Sequence, residues 1–439
     1  MRIGRTLPPA AAPIRVRDLV SGIRGVFRGE KEIDRFRSEL TEYFGMKHCF
    51  LVSSGKAAFT LILLALRELY PAREEVLIPA FTCYSAPSSI VRSGFTIRLC
   101  DLQPANLDFD FAQLSEMLLS SAFTSRGVDT LLHLGITDSP GETSGNVGRS
   151  TDPTKRLLAV VPTHLFGIPA DVPKLRSVVR DPEVTIVEDA AQAMGETWDG
   201  KKLGTLGDVS FFSLGRGKAF STVEGGIILT NRDDIAAKLM HVVSGLSAYN
   251  SREVLALFLK TVALSMFLHP LLFWIPRSIP SLRLGETLFE PHFPIRRMSS
   301  YQAGLARHWR KRLLELHDGR EKNVNRWIDI LKSQGIWQQH CQNWQGRGLI
   351  RFPVKYSNVE YREFILKECV KRGLGVMPVY PDSIGGIPDL QSQIGARNFP
   401  IADSCTRELI TLPTHAYLTE RDVMEISGLL FDAVSTART

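Results

Sequence analysis

Two stretches decide the fold: Val184–Gln192, VTIVEDAAQ, and residues 207–231, GDVSFFSLGRGKAFSTVEGGIILTN. In the first, an unbroken apolar run ends in the adjacent carboxylates Glu188 and Asp189. In the second, the run VSFFS ends at Ser213 and gives way to a glycine-flanked loop carrying Arg216 and Lys218. Glu224-Gly225-Gly226 then turns the chain into another apolar run. Buried parallel strands read as continuous Val/Ile/Leu segments, and α/β proteins place ligand-binding groups just beyond the C-terminal ends of such strands. A lysine between two glycine-containing turns beside core strands is poorly placed for a merely solvated charge, and a desolvated lysine can act as a nucleophile toward aldehydes. Asp189 precedes AAQAM, so helix capping is its plain alternative role.

Outward from these stretches the pattern repeats. CFLVSS, EVLIPAF, FTIRLCDL and LLAVVPTHLF read as strands, and KAAFTLILLALREL reads as a helix. Strands alternating with helices between about residues 49 and 231 predict an α/β fold with a mainly parallel sheet. Ser54-Gly55-Lys56 lies where a strand passes into a helix. The free backbone N–H groups and the positive dipole end of such a turn suit an anion, although many turns of this composition bind nothing. Thr137–Lys155 is rich in Gly, Ser, Thr, Asp and Pro and is expected to form an exposed loop. From Met298 to Gly335 apolar residues recur at helical spacing. A strand-helix-loop-strand-helix order then closes the chain as a smaller α/β domain.

Val254–Pro276, VLALFLKTVALSMFLHPLLFWIP, is almost continuously apolar. Its length would suffice for a bilayer crossing, but Lys260 lies inside it and Pro270 divides it into pieces too short to span. A helical hairpin broken at His269-Pro270 is expected, buried in the protein, covered by a second subunit or resting in a membrane interface as a peripheral contact. Burial is the favoured reading. The chain is accordingly divided into an N-terminal arm (1–14), a large domain (15–250), an apolar insertion (251–295) and a small domain (296–439).

The 439 residues, 44% hydrophobic and 23% charged, describe a folded protein and exclude wholesale disorder. A net charge of +7 is mild for this length and is no nucleic-acid signature, so no nucleic-acid partner is expected. The six cysteines form no C-x-x-C pair and have no histidine at ligand spacing, which speaks against zinc or a disulfide framework and suits a reducing cytoplasm. No metal site is expected. The basic N-terminus lacks the apolar core of a secretory signal.

Taken together, SSGKAAF, EVLIPAFTCYS, FTIRLCDL, PTHLFGIPADV, VEDAAQAMG, GDVSFFSLGRGK and EGGIILTN resemble the DegT/DnrJ/StrS family of pyridoxal-phosphate-dependent sugar aminotransferases. The resemblance covers roughly residues 13 to 247 and 296 to 433. It implies the type I aminotransferase fold, a homodimer, and transfer of an amino group from a donor such as glutamate to a keto-sugar, usually nucleotide-linked, in surface-polysaccharide or glycolipid assembly. By the same resemblance Lys218 would hold pyridoxal 5'-phosphate covalently, and Asp189 would pair with the pyridine nitrogen. Gln192 would lie against the ring edge, Ser213 and the Ser54-Gly55-Lys56 turn would bind the phosphate, and His164 would stand near the site, unless it is simply a structural histidine. Lys218 speaks against the family's dehydratases, which carry histidine there; a dehydratase or isomerase, or a non-catalytic regulator keeping the fold, are the alternative readings.

Several positions depart from the family pattern. Lys56 replaces a usual threonine, and Cys83 stands where a ring commonly stacks on the cofactor, with Tyr84 beside it as a substitute only if the backbone shifts. Ile295-Arg296-Arg297 lacks the asparagine that reaches the partner subunit's phosphate. VYPDSIGGIPDL lacks a His-rich pattern. These departures bear on the phosphate and the substrate more than on the cofactor's identity.

Overall fold

The computed structural model describes residues 3–119, 156–282, 285, 287–335, 343–395 and 398–436. Its centre is a seven-stranded sheet in the order β1 (His48–Val52), β9 (Gly226–Thr230), β8 (Val209–Ser213), β5 (Thr185–Asp189), β4 (Leu157–Val160), β2 (Glu75–Pro79), β3 (Thr96–Cys100). Six strands share one direction; β9 alone is reversed, antiparallel to both β1 and β8. EVLIP, TIVED and GIILT are buried at every position. Both faces of this sheet are therefore covered, which is why its strands read as continuous apolar runs rather than alternating ones. Two short strands, β6 (Thr197–Trp198) and β7 (Lys201–Lys202), form a separate hairpin.

Packed against β8 and β9 is the helix Gly55–Leu69, buried along most of its length. The helix Trp309–Ser333 then leads to a three-stranded sheet of β10 (Phe352–Lys355), β11 (Met377–Pro378) and β12 (Leu409–Leu412), ordered β10-β12-β11. That sheet is antiparallel throughout. The helices Val359–Arg372 and Glu420–Thr436 pack on each other beside it. One continuous apolar core runs from Leu7 through the central sheet to Leu430.

The apolar segment departs from the buried hairpin expected of it. A helix runs from Ser251 to Phe267, opened by Asn250, whose side chain accepts from Glu253 N–H while Glu253 reaches back to Asn250 N–H. The break comes where predicted, at His269-Pro270, but the chain beyond it forms a single helical turn, Trp274–Arg277, rather than a second arm. Within the long helix only Leu257 and Thr261 are buried, while Leu255, Leu259 and Met266 are exposed. Burial within this chain is thus not what accounts for the segment's composition. Lys260 is tolerated because its Nζ lies 2.7 Å from Glu224 Oε1. No helix among the described residues is long and apolar enough to cross a membrane. The loop expected at Thr137–Lys155 lies outside the described residues, as does Cys341; Cys49, Cys83, Cys100, Cys369 and Cys405 are free thiols.

Candidate active site

The C-terminal ends of β1, β5 and β8 lie on one edge of the sheet, together with the start of β9, and a cavity of about 970 Å³ opens there. Ser54, Gly55, Lys56, Asp189, Gln192, Ser213 and Lys218 all line it. Convergence at that edge results from strand direction.

Glu188 and Asp189 are neighbours with opposite assignments, because successive side chains of a strand point to opposite faces. Glu188 is fully buried and accepts the backbone N–H groups of Gly204, Leu206 and Gly207 as well as His164 Nε2 at 2.9 Å. It ties β5 to the loop before β8 and has no access to the cavity. Asp189 faces the cavity. Its Oδ1 accepts Ala191 N–H at 3.0 Å, so it caps a turn; the residues after it form turns and no helix. Burial pushes its carboxyl above the usual carboxylate range, opposed by the Ala191 N–H and by the nearby Lys218. A protonated ring nitrogen placed against Asp189 would favour the carboxylate and offset that penalty.

Lys218 sits in the loop after β8. Arg320, buried on the helix Trp309–Ser333, donates to Ala219 O at 2.8 Å, Lys218 O at 3.1 Å and Ala11 O at 3.2 Å. Desolvation pushes its guanidinium down to about 10. The arginine fixes the backbone from which Lys218 projects, a role with no motif to announce it. At the other rim of the loop Val223 adopts φ 72°, the left-handed region that β-branched residues avoid. Its turn is held by Thr222 Oγ1 and Gln302 Nε2, both donating to Glu224 O at 2.7 Å.

The anion end is built by close approach. A Cβ at Gly55 would lie 2.8 Å from Ser213 Cβ, and one at Gly226 would lie 2.2 Å from Ser54 O. Glycine at both positions lets the helix start, the end of β8 and the start of β9 meet. Ser54 Oγ caps Ala57 N–H at 3.1 Å, and the first-turn N–H groups of Gly55 and Lys56 have no intrahelical acceptor. Ser213 Oγ accepts Gly215 N–H at 3.3 Å and adds a hydroxyl. Lys56 lines the cavity but turns toward the insertion, its Nζ 3.0 Å from Glu290 Oε2 and 4.5 Å above the Phe293 ring. Backbone donors and hydroxyls at this end, Lys218 between, and a buried carboxyl at the far end fit pyridoxal 5'-phosphate, a phosphate, an aldehyde and a basic ring nitrogen on one small molecule.

Gln192 lines the cavity with its Oε1 accepting Phe166 N–H at 3.2 Å. His164 is not at the cavity surface. It is fully buried, with Nδ1 accepting Ala170 N–H at 3.0 Å, which puts the ring proton on Nε2 facing Glu188. Tyr84 also turns away, donating to Asp382 O at 3.1 Å. Cys83 is the residue that lines the cavity there, because adjacent side chains diverge at the start of the helix Ser85–Arg92. Arg296 is held within the chain by Ser247 Oγ at 2.9 Å and by Glu253. Arg351, its guanidinium pushed down by burial, lies within electrostatic reach of Cys83 and Tyr380 and carried no signal in the sequence.

The sequence pattern of the DegT/DnrJ/EryC1/StrS aminotransferase family matches residues 19–122, 150–255 and 294–430. GDP-perosamine synthase of Caulobacter vibrioides is 25% identical over 402 residues, 91% of this chain and 89% of that protein. The Vibrio cholerae GDP-perosamine synthase is 28% identical over 51% of this chain and 53% of its own length. Among solved structures, Helicobacter pylori PseC, an aminotransferase involved in the biosynthesis of pseudoaminic acid, superposes with a TM-score of 0.69 at 17% identity over 98% of this chain and 100% of that one. The E. coli GDP-4-keto-6-deoxy-D-mannose-3-dehydratase, solved with bound hydrated PLP, gives the same TM-score at 16% identity and the same coverage. With the family pattern spanning most of its length and the same architecture in these structures, the chain belongs to the DegT/DnrJ/EryC1/StrS aminotransferase family.

Proposed function

We propose that this protein is a pyridoxal-phosphate-dependent aminotransferase that moves an amino group, with glutamate as donor, onto a nucleotide-linked keto-sugar for surface-polysaccharide or glycolipid assembly. The observation that carries the reading is the placement of Lys218 and Asp189 in one cavity with the Ser54–Lys56 helix start and Ser213. When bound, the cofactor supplies a ring that accepts electrons from the substrate carbon. Asp189 keeps the proton on the ring nitrogen, which makes that ring a better acceptor. Ser54, Gly55 and Ser213 anchor the phosphate. Lys218 would hold the cofactor's aldehyde carbon, and its free Nζ would be the base that moves a proton to and from the substrate carbon. The identity of Lys218 favours amino transfer over dehydration, and the joint presence of Asp189, Gln192, Ser213 and Lys218 favours an enzyme over a regulator.

A homodimer is proposed on the exposure of Val16, Val20, Ile23 and Phe27 along the helix Val16–Arg28, an apolar strip that a second subunit would cover. A cytoplasmic location is proposed on the free thiols. Borohydride reduction of the purified holoenzyme and subsequent peptide mapping are expected to find the pyridoxyl group on Lys218. Label on Lys56 or Lys201 instead would overturn the assignment.

A further inference from the structure

Arg351 stands just before β10, where the chain enters the small sheet. Its neighbours Ile350 and Phe352 are buried in the apolar core, and the alternation of an extended chain sends the Arg351 side chain the other way. The backbone here is hung on the cofactor site. Ile350 N–H donates to Phe166 O at 3.0 Å, and Phe166 N–H in turn donates to Gln192 Oε1 at 3.2 Å. The side chain is partly exposed, and its guanidinium lies within electrostatic reach of Cys83, which lines the cavity, and of Tyr380, whose hydroxyl is 3.5 Å from Gln192 Nε2. Among the described residues no ion pair or side-chain hydrogen bond engages Arg351, and no carboxylate acts on it. Buried arginines elsewhere in the chain are held: Arg73 by Asp181 at 2.8 Å and Glu183 at 2.7 Å, Arg312 by Glu315 at 2.9 Å, and Arg320 by three carbonyls. A guanidinium drawn away from water and left unpaired is unfavourable, and its planar fork of donors suits a carboxylate.

We infer that Arg351 receives the carboxylate of an α-amino-acid donor while the donor's amino group is at Lys218. This inference rests on the aminotransferase reading for the position of the cofactor. The donor's carboxylate is one bond from the carbon that reacts, so it must lie close to the cofactor ring. Arg351 adjoins Gln192 and Cys83 on the cavity wall, and its neighbour Tyr380 is within electrostatic reach of Asp189, which places it toward the ring end of the cavity rather than the phosphate end. A nucleotide-linked acceptor carries its charge elsewhere, because the sugar separates the diphosphate from the reacting carbonyl. Lys56, Arg216 and Lys260 line the wider cavity with charges that solvent reaches, and they suit that diphosphate. The two substrates thus share one reacting centre and use different cations. An amine without a carboxylate would leave Arg351 unpaired, so the residue selects amino acids as donors.

The test is spectral titration of the holoenzyme with α-methylglutamate, which lacks the proton that amino transfer removes and so reads binding alone, together with the bleaching rate at varied glutamate concentration. Arg351→Met is expected to weaken α-methylglutamate binding by at least about tenfold, as loss of a charged hydrogen-bond pair does. The glutamate concentration for half-maximal bleaching should rise by a similar factor, while the limiting rate changes by less than about threefold. Arg351→Lys, which keeps the charge but not the fork, is expected to fall between. No described residue loses a partner in the Met variant, so its thermal midpoint is expected to hold or rise. Inorganic pyrophosphate, the probe for a diphosphate, is expected not to displace α-methylglutamate from the unmutated protein. Unchanged α-methylglutamate affinity in the Met variant, weaker binding accompanied by a lower thermal midpoint in both variants, or displacement by pyrophosphate would each overturn the inference. These outcomes are distinct from failure of the aminotransferase reading, in which glutamate leaves the cofactor spectrum of the unmutated protein unchanged.

Discussion

Arg320 illustrates how a residue can matter to the site without touching a ligand. Its guanidinium holds the carbonyls of Lys218, Ala219 and Ala11, and removing it strands those acceptors in the core. Arg320→Met is expected to lower stability by about 3 kcal/mol and to reduce the fraction of protein carrying borohydride-fixed pyridoxyl, with Arg320→Lys intermediate in both. Thermal unfolding and peptide mapping read the two effects, and a fully loaded, fully stable Met variant would show that the Lys218 loop holds itself. No motif pointed to Arg320, since it acts through backbone carbonyls that any sequence supplies. Asp189 and Lys218 were legible because the strand and loop around them have a recognisable pattern. The family resemblance puts His164 near the cofactor and offers Tyr84 as a stacking ring only with a backbone shift, but the side-chain directions that turn Tyr84 toward Asp382 and pair His164 with Glu188 are set by tertiary packing.

Among the elements, the N-terminal arm does more than its position suggests. Thr6 N–H donates to Pro270 O and Leu7 N–H to Gly373 O, both at 2.8 Å, while Arg5 pairs with Asp422, so the arm laces the insertion to the C-terminal helices. His415 Nε2, 2.7 Å from Pro8 O, completes the tie. Burial pushes the His415 ring down to about 4 from 6.5. The unfolded chain therefore takes up a proton near pH 6.5 that the folded chain refuses until about pH 4, and stability is lost as pH falls through that window. The full loss is about 3 kcal/mol. Denaturant unfolding at pH 7 and pH 4.5 should show His415→Gln losing less stability on acidification than the unmutated protein; equal losses would mean that His415 does not drive the acid sensitivity. The strands of the central sheet were legible as apolar runs, and so was the break at His269-Pro270. The one-turn second arm and the outward apolar face of the insertion were not, because periodicity does not say what a face packs against.

At the scale of the whole molecule, a mainly parallel sheet brings the ends of β1, β5 and β8 to one edge, and an apolar insertion closes over the groups gathered there. The antiparallel order of the second sheet was hidden in the sequence, since its strands have only two to four residues and take their direction from their neighbours. The central claim is that this edge holds pyridoxal 5'-phosphate between Asp189 and the Ser54–Lys56 turn for amino transfer. Its most direct test is the absorbance of the loaded protein before and after glutamate, for the unmutated chain and for Asp189→Asn, whose amide cannot stabilise the ring-nitrogen proton. A visible band is expected that glutamate bleaches and 2-oxoglutarate restores, with bleaching slowed at least a hundredfold in the folded Asp189→Asn variant, about 2.7 kcal/mol in the barrier. No visible band in the unmutated protein, or bleaching at the same rate in Asp189→Asn, would contradict the claim.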